Sequence, residues 1–428
     1  MEIYVVKRGD TYDSIANQFG VNVTRMLRDN WLNRSQPLVV GETIVIRYPE
    51  EVYIVQEGDT LFSIAEKYQV SIEELRRNNI WMSPYYRLRA GQEVIISYQT
   101  ERLRDIVVTG YVYSFIDEET LVRELPFLTG LNVFSYDFTD MGDLIPIEDE
   151  EIVHRSLEQR TVPIMAITTI RDESSFSGEK AQQLFESEEK QENFITQILE
   201  TMAAKGYEGV DVDFEFVYPE DRDAYTAFLQ KLRDSLKPHG YEMSVAVPPK
   251  ISSTQQGSLY EAYDYYAIGE IADSVLLMTY EWGYSGGPAR AVAPIDEVRK
   301  VLDYAVTEIP KEKILLGIPN YGYDWTLPYI PDGQRAKVIS NTEAVRIAGD
   351  YRTEILYDEK YQSPYFRYTD SFGKKHEVWF EDARSIEAKL RLVDEYGLKG
   401  VGYWNLMRLF PQNELVLDSL YDIIKTID

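Results

Sequence analysis

Apolar positions in the first hundred residues form two matched sets. Tyr4-Val5-Val6 is a short β-prone run, and Ile15, Ala16 and Phe19 then fall at helical spacing. Met26 and Leu27 fit a second helix, and Thr43 to Ile46 is β-rich again. The predicted order is strand, helix, helix, strand. Gly9, Asp10, Thr11, Ser14, Ile15, Ala16 and Asn30 recur at one constant offset as Gly58, Asp59, Thr60, Ser63, Ile64, Ala65 and Asn79. Each glycine permits a turn, and the Asp or Thr after it can cap the first helix. Each unit closes on an alternating run, Val40 to Ile46 and Ala90 to Ile96.

From about Leu103 the pattern changes to short β-rich runs separated by amphipathic stretches. Eight strands are predicted: Ile106–Phe115, Leu131–Asp137, Val162–Thr168, Gly209–Glu215, Tyr241–Pro248, Ser274–Glu281, Lys313–Pro319 and Lys399–Asn405. Helical segments such as Asn193–Lys205 and Asp221–Leu236 lie between them. Eight strands alternating with helices predict an α/β fold, a (β/α)8 TIM barrel whose active site lies at the strands' C-terminal ends. Residues 324–378, between strands seven and eight, read as an α+β insertion. Its strands are expected at Glu354–Tyr357, Tyr365–Thr369 and His376–Trp379, with a helix near Thr342–Gly349. The domains are therefore 1–48, 51–98 and 102–428. The small units and the barrel are expected to be separate cores joined near Ser97–Glu101.

Composition narrows the function. The chain of 428 residues carries 44 Lys+Arg and 72 Asp+Glu, a net charge of −28. Residues 1–100 hold 11 basic and 13 acidic residues, so almost all of the excess belongs to the barrel. Such a charge argues against nucleic acid and against an anionic membrane surface as partners. No apolar run reaches the ~18 residues of a membrane span. There is no cysteine, and the three histidines are scattered, so no metal site is expected. The first residues show no Sec-type signal peptide. A monomer without cofactor is expected.

The most informative stretch is Glu208-Gly-Val-Asp-Val-Asp-Phe-Glu215-Phe-Val. Period-two alternation places Val210, Val212, Phe214 and Phe216 outward and Asp211, Asp213 and Glu215 inward. Carboxylates roughly 7 Å apart along one buried face repel each other and resist ionisation. A proton retained by Glu215 is what a general acid needs at neutral pH. A solvated edge strand or a divalent-cation site would also place acids in alternation. The wholly apolar outward set favours a buried sheet.

Two resemblances follow. The repeated GDT-x-x-SIA units resemble the LysM module, a βααβ unit that binds N-acetylglucosamine-containing glycans such as peptidoglycan and chitin. The resemblance implies glycan contacts along Gly9 to Tyr12, with Gly9, Asp10 and Thr11 foremost, and the loop Gln36 to Val39. In the second copy it implies Gly58 to Leu61, with Gly58, Asp59 and Thr60 foremost, and Tyr86 to Arg89. Residues 103–428 resemble glycoside hydrolase family 18. Its D-G-x-D-x-D-x-E signature stands here as E-G-V-D-V-D-F-E, with Glu208 replacing the first Asp. MTYE (Met278–Glu281) stands for the family's MTYD, and LGIPNYGYDW (Leu316–Trp325) for LGIPxYGRxW. Strand eight reads GVGYWNL, and the family's SxGG motif is absent from Met165–Ile170.

The second resemblance implies substrate-assisted hydrolysis: Glu215 as acid and base, Asp213 against the acetamido nitrogen, and Asp211 sharing a proton or hydrogen bond with Asp213. It implies Tyr280 on the acetamido carbonyl and Trp404 beneath the sugar. Tyr321, Asn320 and Glu281 would line the groove, and the Tyr- and Phe-rich segment Tyr361–Asp370 would wall it. The combination resembles glucosaminidases that degrade spore-cortex peptidoglycan fragments during germination, implying a location at the coat–cortex boundary. A chitinase, a vegetative autolysin with the same chemistry, and a non-catalytic lectin on the same barrel remain open.

Overall fold

A computed structural model describes residues 1–171 and 175–425. In the first small unit, Glu2–Val5 pairs antiparallel with Thr43–Ile46, and the helices Tyr12–Phe19 and Val23–Asp29 lie between them. The second repeats this with Pro49–Ile54, Leu61–Tyr68, Ile72–Asn78 and Glu93–Tyr98. The repeated residues have structural work. Thr11 and Thr60 cap their helices, each in a reciprocal capping box with Ser14 or Ser63. The Asn30 amide donates to the Met26 and Val45 carbonyls and accepts the Val45 N–H. Asn79 makes the same three bonds to Leu75 and Ile95. Each Asn thus fastens the second helix to the closing strand.

All eight predicted barrel strands are present: Arg104–Tyr113, Gly130–Phe138, Val162–Thr168, Gly209–Asp213, Glu242–Val247, Ser274–Leu277, Ile314–Pro319 and Gly400–Trp404. They pair in parallel, and the first and second strands close the ring. The fourth strand stops at Asp213 and the sixth at Leu277, short of the predicted Glu215 and Glu281. Both glutamates therefore sit on the loops that leave the barrel's C-terminal rim. Val210, Val212 and Phe214 are fully buried as expected. Phe216 departs from that set: its φ is 59° and it is 47% exposed. The alternation ends with the strand, so the outward position no longer faces a helix.

The insertion is a five-stranded antiparallel sheet of Gly322–Leu327, Lys337–Ile339, Leu356–Asp358, Ser363–Thr369 and Lys375–Trp379, with the helix Asn341–Asp350. The strands Gly322–Leu327 and Lys337–Ile339 were not anticipated; the chain leaves the seventh barrel strand at Pro319 and enters a new sheet at once. The helix Pro411–Leu420 and the strand Tyr421–Ile423, which pairs with the first barrel strand, were not anticipated. That helix is buried all round and shows no amphipathic stripe.

Each small unit keeps a hydrophobic cluster of its own, as expected, but the expectation of a simple join near Ser97–Glu101 is corrected. Val45 and Ile80 of the small units belong to the barrel's own hydrophobic cluster. Arg47 and Arg77 reach the fully buried Asp418 at 3.0 and 2.8 Å. Burial opposes ionisation of Asp418, yet Arg77, Arg47 and Arg102 hold its carboxyl below the usual range. Arg123 pairs with Glu414 at 3.0 Å, and its guanidinium lies 3.4 Å from the Trp31 ring centroid. The junction is thus a packed, ion-paired interface. Breaking a buried pair from one side costs about 3–5 kcal/mol. Asp418→Ala is accordingly expected to lower stability by an amount in that range, read from the urea midpoint at unchanged m-value. A chain lacking residues 1–98 should melt well below the full chain.

Candidate active site

The two acids of the fourth strand and Glu215 on the loop beyond it stand in different surroundings. Asp211 is fully buried and accepts hydrogen bonds from the Tyr111 hydroxyl at 2.7 Å and the Ser244 hydroxyl at 2.5 Å. Burial raises its carboxyl, and these two donors oppose the rise. Asp213 is 5% exposed, and its Oδ1 has no hydrogen-bond partner. Burial, then the charges of Glu215 and Asp211, push the Asp213 carboxyl well above the ordinary range. Glu215 is half-buried on the loop past the strand. Burial, then the charge of Glu281, push it up to about 7. The Tyr263 hydroxyl donates to the Phe214 carbonyl at 2.6 Å and so fixes the backbone between Asp213 and Glu215. The bond expected between Asp211 and Asp213 is not made. Asp211 is held by Tyr111 and Ser244, and Asp213 is left with an unsatisfied oxygen.

Tyr280 joins these acids. Its hydroxyl is raised by burial and then by the charges of Asp213, Glu215, Glu281 and Asp211. Trp404 packs edge-on against Phe134, Tyr111 and Tyr113, with centroids 5.0, 5.4 and 6.1 Å away. Two of the departures from the family pattern meet each other: Glu281 accepts from the Tyr323 hydroxyl at 3.0 and 3.2 Å and also from Tyr321. Tyr321 and Tyr323 pack with Trp325 and Trp379, and Tyr361, Tyr365, Tyr280 and Trp404 lie against them. The insertion thus borders the acids with aromatic surface.

Asn320 is braced on one side only, its buried Oδ1 being without a partner. Its amide donates to the Asn405 and Arg408 carbonyls, bracing the loop after the eighth strand. Among the described residues, no group of three or more His, Cys, Asp or Glu side chains is arranged to hold a metal ion. Tyr111, Ser244 and Tyr263 were not singled out from sequence. Tyr111 was reachable, since it shares the inward face of its strand with Thr109 and Tyr113. Ser244 and Tyr263 carry no local signal.

The GDT residues lie in the small units, outside this cluster. Gly9 and Gly58 take φ of 94° and 89°, which favours glycine. Asp10 accepts from the Tyr4 hydroxyl and the Lys7 N–H, both at 2.7 Å, and Asp59 does the same with Tyr53 and Gln56. With Thr11 and Thr60 as helix caps, these side chains shape the loop.

The family sequence model for Glycosyl hydrolases family 18 matches residues 108–408, and that for the LysM domain matches 4–47 and 53–97. The chain belongs to glycosyl hydrolase family 18. It is 44% identical to the cortical fragment-lytic enzyme of Bacillus subtilis (strain 168), over 99% of both chains. The crystal structure of the Bacillus megaterium QM B1551 spore cortex-lytic enzyme SleL superposes with a TM-score of 0.84 at 39% identity, over 99% of both chains. A chitinase from Chromobacterium violaceum ATCC 12472 matches at 26% identity and a TM-score of 0.68, over 73% of this chain and 98% of its own. The likeness to the cortex-lytic enzymes spans both LysM modules and the barrel with its insertion. This family 18 glycosidase thus shares its whole architecture with them.

The position of Glu215 carries a pH prediction. A general acid must be protonated, so kcat/KM should hold on the acid side and fall as pH rises through about 7. The Glu281 charge contributes to that elevated value. In Glu281→Gln the pKa of Glu215 should drop, moving the alkaline limb of the pH–kcat/KM profile to lower pH. An unmoved limb would dissociate the two carboxyls.

Proposed function

We propose that this hydrolase cleaves the β-1,4 bond following N-acetylglucosamine in spore-cortex peptidoglycan or its fragments during germination. It acts there in association with the spore. The observation that carries the reading is the protonable Glu215 at the rim of the barrel, two residues beyond an Asp213 whose Oδ1 is buried and unpartnered. Glu215 protonates the leaving oxygen while the substrate's 2-acetamido oxygen attacks the anomeric carbon. The acetamido N–H supplies the missing partner of Asp213, whose carboxylate balances the charge of the cyclised oxazolinium ion. Tyr280 holds the acetamido carbonyl, and Trp404 supports the sugar ring. Asp211, held by Tyr111 and Ser244, keeps negative charge below Asp213 and orients it through the strand. Glu215 then takes a proton from water, and the configuration is retained. Family 18 chemistry of this kind needs no enzyme nucleophile.

The two LysM modules would tether the enzyme to insoluble glycan, and their rigid docking on the barrel fixes the direction in which a bound strand leaves. Whole-chain likeness to cortical fragment-lytic enzymes supports peptidoglycan over chitin, since the chitinase likeness covers less of the chain. The deciding experiment offers purified cortex fragments and chitin oligomers in parallel and identifies the products by mass. Cortex products ending in N-acetylglucosamine are expected. Turnover of chitin oligomers with none of cortex fragments would overturn the substrate assignment.

A further inference from the structure

The loop that leaves the eighth barrel strand, residues 405–410, is pinned along its length. The Leu406 N–H donates to the Tyr111 carbonyl at 2.9 Å, and the Tyr113 N–H meets Met407 Sδ at 3.3 Å. Leu406 packs so closely on Gly110 that a Cβ there would lie 2.3 Å from its Cδ1. The Asn320 amide holds the Arg408 carbonyl at 2.7 Å. This loop sets Arg408 near Tyr113, whose ring centroid lies 6.1 Å from that of Trp404. Burial raises the Tyr113 hydroxyl, the charge of Asp213 raises it further, and that of Arg408 lowers it. The guanidinium and the catalytic aspartate thus both act on one side chain.

The half-buried Arg408 has no carboxylate partner among the described residues. Lys180 and Arg290, on segments that also follow barrel strands, are paired with Asp137 and Glu297. An unpaired guanidinium therefore stands in the part of the chain that holds almost all of the net charge of −28. Beside it, Asn320 is 6% exposed, and its Oδ1 makes no hydrogen bond. Buried polar atoms are as a rule satisfied, and an unmade bond in such a place calls for a ligand or an ordered solvent molecule. The Asn320–Arg408 hydrogen bond joins this open acceptor to the residue that carries the unpaired cation.

We propose that Arg408 is a specificity residue that binds a carboxylate on the side chain of the muramoyl sugar adjoining the N-acetylglucosamine held over Trp404. This inference rests on the peptidoglycan reading above. With N-acetylglucosamine over Trp404, the alternation of the polymer puts a muramoyl sugar on either side of it. Each muramoyl sugar carries a lactyl ether, which ends in a carboxylate or in a short peptide with a carboxylate of its own. A guanidinium presents a planar fork that meets a carboxylate with two parallel hydrogen bonds. Asn320 Oδ1 accepts an N–H or hydroxyl of the same sugar. A strongly acidic barrel repels an anionic glycan, and one unpaired cation at the point of contact offsets that repulsion. Chitin has no such carboxylate, so Arg408 separates the two glycans by charge.

The test measures kcat and KM of the full chain on three tetrasaccharides of alternating N-acetylglucosamine and N-acetylmuramic acid, with chitotetraose as reference. The three carry free lactyl carboxylates, lactyl-alanine or lactyl methylamide. At least one of the two acids should be cleaved with a kcat/KM about tenfold above that of the methylamide, as for a charge-assisted hydrogen bond, and the difference should lie in KM. The preferred acid identifies the source of the carboxylate. In Arg408→Gln the ratio of acid to methylamide should fall to one or below. Arg408→Lys should keep part of it, since a point charge replaces the fork. Added salt should shrink the wild-type ratio. The proposal is overturned if the wild type treats both acids and the methylamide alike, or if the preference survives Arg408→Gln. It is equally overturned if Arg408→Gln lowers all four substrates together, as a merely structural role in the loop would. Turnover of chitotetraose with none of the three muramoyl fragments would overturn the peptidoglycan reading itself, and this inference with it.

Discussion

Glu215→Gln is expected to lower kcat by about 10⁴-fold, the upper end of what a single acid–base group contributes. One residue serves both half-reactions, so no second group can take over the later step. The substitution keeps the size of the side chain and removes only the transferable proton. Glycan binding should persist, because the aromatic wall of Trp404, Tyr321 and Trp379 is untouched. Retention of more than a tenth of the activity would falsify the assignment. Asp213→Asn should also be severe. The amide can meet the acetamido nitrogen but cannot carry the compensating charge, and it places a polar group among buried acids. If Asp213→Asn turned over normally while Asp211→Asn were dead, the two aspartates would have exchanged roles. Tyr111 and Ser244 make that exchange improbable on chemical grounds, since they already satisfy Asp211.

The barrel was legible because its strands are buried on both faces and read as β-rich runs between amphipathic helices. The repeat was legible because each of its fixed residues has local work, a turn at Gly9 or a cap at Thr11. What sequence could not supply lies across long separations. Asp418 is one acid among many along the chain, and nothing near it announces that Arg47 and Arg77 will meet it in the interior. That contact turns the apparent tether into an interface. At the site, the order Asp211, Asp213, Glu215 was readable from period two, but the end of the strand was not. The period stops at Asp213, so Glu215 lies on a loop and Phe216 reaches solvent. Glu281 and Tyr323 each looked like a departure from the family pattern when read alone. In space they satisfy each other, a hydroxyl on a carboxylate. Asn320 showed the reverse: a polar residue beside the site whose donors are occupied by the loop after strand eight.

Cleavage is expected to require an N-acetyl group on the sugar in the −1 subsite, and a substrate lacking it there should be inert though still bound. Retention through an enzyme nucleophile needs a second carboxylate about 5 Å from the acid, beneath the anomeric carbon. Asp213 ends the strand that leads into the Glu215 loop and is buried, with an oxygen ready for an N–H. The other acid whose charge reaches Glu215 is Glu281. Both of its oxygens are engaged, Oε1 by Tyr321 and Tyr323 and Oε2 by Tyr323, which leaves it poorly placed to attack carbon. The nucleophile is then the substrate's own carbonyl oxygen. A thiazoline analogue of the cyclised intermediate should inhibit competitively and bind far more tightly than substrate, because the site is complementary to the strained, charged state. The new reducing end should appear first as the β-anomer. Mass spectrometry of rapidly quenched turnover should find no glycosyl adduct on the protein. An adduct on Glu281 or Asp213, or the α-anomer appearing first by NMR, would rule out assistance by the substrate and make that carboxylate the nucleophile.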